Sequence, residues 1–524
     1  MLLMSLFLAA ACPAAESLAP RFARLNACTD EVCRVTAADL RSGSEKDGEN
    51  VLWMWSAMAK DSVPETKDGF VRVDFTLVPE AGSDIRCRME LPLPGKWDGR
   101  LWGVGNSGHA GVLPQLRGYS ARGTAAMTTD LGTARVTNNG RTNARSWPAN
   151  VHRDYGYRAT HLMTVYGKRM AEAFYGRRPD HVYFIGGSCG GRQAMSEAIR
   201  YPDDYEGIIA GLPGNNAVLK EIAIWHLRRL THDASGAALF TTNELRVVSD
   251  AAVEYMAPRT PKPYAGKCLA DARLSEKDIE GFIRLAVEKC PSLGKGDRPS
   301  RLKAIFMPLV IDGQCWYNGF APGAYQGKQM GWMGIATLAG YLKSKGITSR
   351  DWDNLSRVTP DLMRDFLREI GPDYNSASYD LSAFRKRGGK LIMTAGWEDQ
   401  TISPMPIVDY YERVCEKDGG LDRTMSYFRL FCVPGCAHGG GKGRLLTGSP
   451  DPVRTRDRLI AWVEKGVPPA ALEFRWSAQK LQVPVATYPG LYVQDDAGKW
   501  KRIETPRGTA ARIDEVWRRT SLEK

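Results

Sequence analysis

A serine flanked by glycines gives the clearest indication of chemistry in this 524-residue sequence. Ser188 stands in the run GGSCGG at residues 186–191, which satisfies the pattern G-x-S-x-G. The apolar stretch HVYFIG precedes the run and the amphipathic stretch RQAMSEAIRYP follows it, which predicts a strand, a sharp turn and a helix. Glycines on both sides allow the strained turn that exposes a serine hydroxyl. Ser188 is therefore the candidate nucleophile.

A serine hydroxyl needs a general base, and the base needs an acid that orients it. In the α/β-hydrolases, the fold that this motif indicates, the three residues follow in the order serine, acid, histidine. Four of the seven histidines precede Ser188, and His226 and His232 fall early in the segment that follows. His438 lies in the loop PGCAHGGG after the predicted strand YFRLFCV, where it would reach over the sheet. His438 is therefore the candidate base.

The acid should lie between the two, on a loop after another strand of the core. Asp399 follows the apolar run KLIMTAG in the sequence GWEDQ and so occupies the equivalent place one strand earlier. Glu398 is the competitor. Adjacent residues leave a turn in different directions, so only one of them can face His438. We favour Asp399.

An oxyanion hole needs two hydrogen-bond donors, one of which is the backbone N–H of the residue after the nucleophile, here Cys189. The second donor should come from a glycine-rich loop after an early strand. The loop GNSGHAG, after RLWGV, is the best candidate. Ser107 and Gly108 are both possible donors in it, and an ordinary tight turn is the alternative interpretation.

The elements around these residues predict an α/β-hydrolase core with a large inserted lid domain. Strand-like alternation in FVRVDFTLV, IRCRMELPL and RLWGVG gives way near residue 150 to alternating strands and helices. That pattern stops for residues 216–380, which are rich in helical pieces and aromatic residues, and then resumes. We therefore expect the core in two parts, 25–215 and 381–515, with 216–380 as the lid.

Composition excludes several classes of protein. Apolar residues make up 43% of the chain and charged residues 25%, which is typical of a soluble globular protein. Lys and Arg number 71 against 59 Asp and Glu, but no run of five basic residues occurs, so we expect no nucleic-acid partner. No segment reaches 18 apolar residues, which argues against a membrane span.

The N-terminus predicts export. Residues 1–15 contain the apolar stretch LLMSLFLAAA before small residues, the pattern of a signal peptide, although no Lys or Arg precedes it. The alternative for Cys12 is lipidation. Without Cys12 ten cysteines are left, an even number compatible with five bridges in an oxidising compartment. We expect a secreted or periplasmic protein.

With these pieces in place, the chain resembles the tannase and feruloyl esterase family. The similarity covers residues 25–490 and is carried by the whole nucleophile region with its GGRQ and RYP segments, by YNGFAPG, by GWEDQTISP, by VPGCAHGGG and by AWVEKGVPP. This family, which includes the mono(2-hydroxyethyl) terephthalate hydrolases, has an α/β-hydrolase core with a lid inserted before the acid. The resemblance gives Ser188, Asp399 and His438 the triad roles and implies cleavage of aromatic esters.

The resemblance also suggests where an aromatic acyl group would bind, because the family holds the ring between lid and core. The aromatic cluster of the lid includes Trp316, Tyr317, Phe320 and Trp332, which are the candidate substrate contacts. The alternative is that these rings form the interior of the lid itself.

Two departures from the family pattern matter. The family usually bridges a cysteine before the serine to one after the histidine, and those places here are Gly187 and Gly439. Cys189 and Cys436 stand close by, so the resemblance implies a displaced Cys189–Cys436 disulfide, with two separate thiols as the alternative.

The second departure concerns the aspartate-rich calcium loop that many members carry in the lid. The corresponding stretch here, SDAAVEYMAPRTPKPYAGKC, keeps only Asp250 and Glu254. Two carboxylates are too few for the roughly six to eight oxygen ligands that calcium takes. We expect no metal and no other cofactor.

Together these arguments predict a secreted serine esterase that hydrolyses esters of aromatic carboxylic acids, with a small-molecule ester as its partner. Nothing in the triad selects an acyl group, so an esterase of non-aromatic esters is the first alternative. A non-catalytic binding protein on a hydrolase scaffold is the second. The sequence leaves the oligomeric state open.

Overall fold

The computed structural model describes residues 18–43, 65–108, 111–134, 137–138, 141–142, 147–233, 235–322, 336–347, 359–438, 451–476 and 481–513. The predicted signal peptide, residues 1–15, lies outside these ranges, as does Trp332. Among the helices that are described, none has the length and apolar character needed to cross a membrane.

A nine-stranded sheet forms the centre of the molecule, in the order β1-β2-β3-β5-β4-β8-β9-β12-β13. Strands β1, β2 and β3 pair antiparallel with one another, and β3 pairs antiparallel with β5. The rest of the sheet, from β5 through β4, β8, β9 and β12 to β13, is parallel. The strands are β1 Cys33–Arg41, β2 Phe70–Leu77, β3 Ile85–Pro92, β4 Arg100–Val104, β5 Ala125–Thr129, β6 Thr137–Asn138, β7 Arg141–Thr142, β8 His181–Gly187, β9 Gly207–Gly211, β10 Leu309–Ile311, β11 Gln314–Tyr317, β12 Lys390–Gly396, β13 Phe428–Val433, β14 Asp451–Val453, β15 Ala471–Trp476, β16 Leu481–Ala486, β17 Gly490–Gln494 and β18 Trp500–Glu504.

Helices cover both faces of this sheet. They are α1 Ala19–Asn26, α2 Arg117–Ser120, α3 Ala149–Arg153, α4 Ala159–Tyr175, α5 Cys189–Arg200, α6 Ala217–Thr231, α7 Thr242–Met256, α8 Glu276–Lys289, α9 Arg298–Phe306, α10 Ala336–Ser344, α11 Pro360–Tyr374, α12 Ser382–Lys386, α13 Pro404–Asp418, α14 Leu421–Met425 and α15 Thr455–Lys465. A single π-helical turn, Asp154–Arg158, joins α3 to α4.

The parallel strands are mostly apolar and largely buried because both of their faces are covered. Successive side chains point to opposite faces. Phe184 and Ile208 therefore pack in one cluster with α4, α5 and α13, whereas Tyr183 and Ile209 pack on the other face with Trp462 of α15. This helix–sheet–helix layering confirms the predicted α/β-hydrolase fold class.

Helices α6 to α11 and the two-stranded ribbon β10–β11 follow β9 in the chain, ahead of the short helix α12 and β12. A separate apolar cluster, with Phe282 and Phe306 at its centre, holds α6 to α9 together. Helices α7 and α8 each begin with a capping box, at Thr241 and Ser275. The proposed lid, residues 216–380, comprises these elements.

The sequence patterns did not predict the C-terminal elements. After α15, strand β15 pairs antiparallel with both β14 and β16 in a small sheet, and β17 pairs with β18. Val483 and Val485 of this region join the cluster that covers the outer face of the main sheet. The C-terminal part of the chain therefore completes the core layer that α15 begins.

Candidate active site

Ser188 occupies a strained turn between β8 and α5. Its backbone has φ 58° and ψ −114°, a conformation that a non-glycine residue rarely adopts. The turn is held by the Ser188 amide, which donates to Gly211 O at 2.9 Å. A Cβ atom on Gly186 would lie 2.5 Å from the Gly190 backbone, and one on Gly190 would lie 2.8 Å from Asn106 O. Only glycines leave room for this approach, as the G-x-S-x-G motif predicted.

The structure brings the three predicted triad residues together at the carboxyl ends of β8, β12 and β13. His438 Nε2 lies 3.0 Å from Ser188 Oγ, and His438 Nδ1 lies 2.8 Å from Asp399 Oδ2. Both His438 and Asp399 are buried. With the Nδ1–H donated to the carboxylate, Nε2 has the free lone pair that a general base for the serine needs.

The backbone of the acid loop decides which carboxylate faces the histidine. Asp399 Oδ1 accepts hydrogen bonds from the amides of Thr401 at 2.8 Å and Ile402 at 2.7 Å, which leaves Oδ2 for His438. Glu398 turns the other way, and its Oε1 accepts from the amide of Leu269 in the lid at 2.7 Å. The geometry therefore favours Asp399 and gives Glu398 a contact with the lid.

The Gln400 side chain contacts the main chain of His438, and no sequence pattern predicted this contact. The Gln400 Nε2 donates to His438 O, and the His438 amide donates to Gln400 Oε1, both at 3.0 Å. One side chain thus holds both polar groups of the His438 main chain.

The early glycine-rich loop lies against the start of α5. Asn106 is fixed there, because its amide donates to Gln193 Oε1 at 2.7 Å and its side chain donates to Thr129 O at 2.7 Å. The amide of Ser107 donates to Asn106 Oδ1 at 2.9 Å and is therefore occupied. Gly108 has φ 53° and open space beyond its Cα, and no acceptor for its amide lies in the described part of the chain. Of the two candidate donors, Gly108 is the available one.

Comparison with known proteins agrees with this geometry. The model of the tannase and feruloyl esterase family matches residues 72–256 and 329–502, well over half of the chain. The chain belongs to the tannase and feruloyl esterase family. It is accordingly a carboxylic ester hydrolase, and the resemblance noted from the sequence is confirmed.

Individual members of the family match along most of their length. A probable feruloyl esterase of Arthroderma benhamiae is 26% identical over 445 residues, which cover 78% of this chain and 79% of that protein. A mono(2-hydroxyethyl) terephthalate hydrolase of Piscinibacter sakaiensis is 27% identical over 469 residues, with 76% of each chain covered.

Solved structures share the fold. Feruloyl esterase B from Aspergillus oryzae superposes with a TM-score of 0.71 at 19% identity and covers 91% of this chain and 97% of its own. Tannin acyl hydrolase from Aspergillus niger gives a TM-score of 0.70 at 17% identity, with coverages of 92% and 94%. The family fold therefore extends over the inserted segment as well as the core.

The structure does not contain the predicted Cys189–Cys436 disulfide. Both residues are free thiols, as are all ten cysteines that the structure describes. The Cys189 Sγ faces Tyr155 OH at 3.4 Å and Arg192 Nη2 at 3.7 Å, below the early loop. Cys436 packs behind the acid loop, where burial, with Asp399 and Glu398 nearby, holds the pKa of its thiol well above the usual range. The two thiols thus have separate surroundings.

Of the lid aromatics predicted to contact substrate, Trp316, Tyr317 and Phe320 are all buried. Trp316 is 0% exposed and lies with its ring 5.8 Å from the Arg364 guanidinium. The Phe320 ring lies 5.2 Å from that of Tyr317. Tyr317 reaches the acid loop, where burial raises the pKa of its phenol despite a hydrogen bond with the Ser403 backbone. Tyr317 is the lid aromatic whose described contacts extend to the triad loops.

Proposed function

We propose that this family member is a serine esterase that hydrolyses esters of aromatic carboxylic acids through an acyl-enzyme on Ser188. The observation that carries the proposal is the hydrogen-bonded line from Ser188 Oγ through the His438 imidazole to Asp399 Oδ2, with distances of 3.0 and 2.8 Å. Nucleophile, base and orienting acid are in hydrogen-bond contact without any rearrangement.

In the first half of the reaction His438 Nε2 takes the proton of Ser188 as Oγ attacks the ester carbonyl. The carbonyl oxygen becomes an oxyanion, which the amides of Cys189 and Gly108 would stabilise. His438, now an imidazolium beside the Asp399 carboxylate, returns the proton to the alcohol oxygen as the C–O bond breaks. The alcohol leaves and the acyl group stays on Ser188.

In the second half a water molecule takes the place of the alcohol. His438 accepts a proton from the water as its oxygen attacks the acyl carbon, and a second tetrahedral oxyanion forms in the same place. The proton then returns to Ser188 Oγ as the acyl bond breaks, which releases the acid and restores the starting state.

The aromatic acyl group is inferred from the lid and from the relatives. Tyr317 lies beside the acid loop and packs against Phe320, and Trp316 and Trp332 are the further lid aromatics predicted to contact the ring. The relatives are named for feruloyl and mono(2-hydroxyethyl) terephthalate esters, both of which carry an aromatic ring on the acyl side. An esterase of non-aromatic esters is the alternative.

One panel of assays tests the proposal. The purified protein would be assayed with methyl gallate, methyl ferulate, mono(2-hydroxyethyl) terephthalate and a short aliphatic ester. A serine-directed phosphonate would then be applied, and its adduct located by peptide mass spectrometry. We expect turnover of at least one aromatic ester, a single adduct on the Ser188 peptide, and neither result with Ser188→Ala.

Two outcomes would contradict the proposal. An adduct elsewhere, or turnover by Ser188→Ala above about a hundredth of wild type, would remove Ser188 from the nucleophile role, since loss of a triad serine typically costs several powers of ten. Equal kcat/KM for aromatic and aliphatic esters would leave the serine mechanism standing and favour the non-aromatic alternative.

Export to the periplasm or the medium is proposed with this function. It is supported by the apolar pattern of residues 1–15. Mass spectrometry of the native protein should find an N-terminus beyond that segment. A native protein that retains Met1 and stays with the cytoplasmic fraction would contradict export.

A further inference from the structure

Tyr155 lies between the two residues that carry the proposed oxyanion donors. Its phenol hydroxyl donates to Gly108 O at 3.0 Å and accepts from Cys189 Sγ at 3.4 Å. The hydroxyl therefore touches the residue after the nucleophile on one side and the early glycine-rich loop on the other. These segments are far apart in the chain, and Tyr155 belongs to neither of them.

The side chain of Tyr155 is itself held firmly. It sits in the π-helical turn Asp154–Arg158, and such turns often occur at functional sites. Arg192, one turn along α5 from Cys189, donates to Tyr155 O at 2.7 Å and lies with its guanidinium 4.4 Å from the Tyr155 ring centre. Tyr155 is only 5% exposed. Because the ring is held in place, its hydroxyl can restrict the movement of Gly108 and Cys189.

Gly108 is the donor residue whose backbone conformation must be restricted. A glycine with φ 53° and open space beyond its Cα has the widest choice of backbone conformation of any residue. The hydrogen bond to its carbonyl anchors the peptide plane that follows Gly108. The Gly108 N–H lies in the preceding plane, so that anchor limits its direction through the φ and ψ angles of Gly108. Burial also holds the pKa of the Tyr155 phenol well above its usual range, so the hydroxyl keeps its proton.

We propose that Tyr155 is a positioning residue for the oxyanion hole, which holds Gly108 and Cys189 in register so that their amides meet the same oxygen. This inference rests on the proposed function, because it presumes an oxyanion formed at Ser188. Tyr155 touches neither the substrate nor the reacting atoms in this account, and it acts only through the two amides.

The test is Tyr155→Phe, which removes the hydroxyl and keeps the ring with its Arg192 contact. The loss of one complete oxyanion donor costs about a hundredfold to a thousandfold in kcat, so a donor that is only loosened should cost about tenfold. KM should stay within about twofold, because the oxyanion exists only in the transition state. An aryl trifluoromethyl ketone, which forms a tetrahedral oxyanion on serine, should lose affinity by the same factor as kcat/KM.

Tyr374→Phe is the matched control. The Tyr374 ring lies 5.2 Å from that of Tyr155, but its hydroxyl contacts His152 Nδ1, at 2.9 Å. This control should keep the kcat and the ketone affinity of the wild type. Melting temperatures of both variants would be recorded, since a purely structural role would lower stability without selecting against the ketone.

A second variant tests the positioning role from the side of Cys189. Cys189→Ala removes the other hydrogen-bonding partner of the Tyr155 hydroxyl while its backbone amide stays in place. If the two side chains act as one unit, the double variant should lose less than the product of the two single losses. Multiplying losses would overturn the linkage between them.

The remaining outcomes are decisive in either direction. Tyr155→Phe with kcat and ketone affinity within about twofold of wild type would overturn the positioning role, and so would equal losses in Tyr155→Phe and Tyr374→Phe. Failure of the proposed function would look different. Ser188→Ala would then remain active, or the phosphonate would label another residue, whatever the result with Tyr155→Phe.

Discussion

Gln400 holds the main chain of His438 from both sides. Its carboxamide accepts from the His438 amide and donates to the His438 carbonyl, each at 3.0 Å, while the adjacent Asp399 holds the imidazole. The family usually ties nucleophile and base loops with a disulfide, whose places are Gly187 and Gly439 here. In this chain, acid and base loops are tied by a carboxamide.

Gln400→Leu should lower kcat by about thirtyfold, because each of the two lost hydrogen bonds contributes about 1 kcal/mol to holding the histidine in place. Gln400→Glu keeps an acceptor for the His438 amide but places a carboxylate near the ring. A negative charge beside the imidazole favours its protonated form, so the acidic limb of the kcat/KM profile should move to higher pH. An unchanged profile in Gln400→Glu together with full kcat in Gln400→Leu would contradict this role.

Asp399→Asn should reduce kcat by about ten-thousandfold, the cost of losing the acid that fixes the histidine tautomer. Glu398→Gln is the matched control, since the amide oxygen of glutamine can still accept from Leu269 N–H. It should keep kcat within about threefold of wild type, a small effect compared with loss of the tautomer. Steady-state kinetics of the two variants decide between the carboxylates, and a reversed order would exchange their roles.

The triad could be predicted from the sequence because each member follows an apolar strand and the fold fixes their order. The elbow of Ser188 needs glycines at set positions, so it leaves a local pattern. The disulfide could not be judged in the same way, because position in sequence does not say where the Cys189 thiol points. Tyr155 and Gln400 act through contacts with distant loops, and their residue types carry no pattern that marks those contacts.

Chelators should affect neither the activity nor the melting temperature. The calcium-loop stretch of the family keeps only Asp250 and Glu254 here, and Glu254 forms an ion pair with Lys289 Nζ at 2.9 Å. The measurement is thermal unfolding with EDTA, followed by added calcium. A melting temperature that falls by several degrees and recovers with calcium would reveal a metal site.

Glu197 of α5 should make the folded protein less stable as pH rises. It is 0% exposed, and no donor in the described residues reaches either of its carboxyl oxygens. Burial, and then Asp204 beside it, hold its pKa well above the usual range. The native state therefore keeps a proton that the unfolded chain releases above about pH 4.3, and the free energy of unfolding falls through that range.

In Glu197→Gln the side chain no longer titrates, and its amide can donate to Asp204. The melting temperature of the variant relative to wild type should therefore increase from pH 5 to pH 8. Asp422→Asn, on the short helix α14, is a control for a general change of charge. A constant difference across this range would show that Glu197 is ionised in the folded protein.

Tyr317→Leu should reduce kcat/KM for an aromatic ester about tenfold more than for an aliphatic ester, which corresponds to about 1.4 kcal/mol of ring contact. Trp316→Leu is the contrast, because Trp316 packs in the main apolar cluster, whereas the contacts of Tyr317 extend to the acid loop. Its replacement should lower the melting temperature, as cavities in a core do. If Trp316→Leu erodes the aromatic preference and Tyr317→Leu does not, the ring lies against Trp316 instead.

The position of the inserted segment has a consequence for how the chain becomes active. Strands β9 and β12 pair at Gly207 and Lys390, about 180 positions apart, so the longest loop in the sheet must close before the acid and base strands can dock. Closing such a loop is entropically costly, and contacts of high sequence separation form slowly. A growing polypeptide would carry Ser188 on a finished strand and helix long before His438 emerges. Hydrolytic competence should thus appear in one late step, and fragments that end within the lid should be inert.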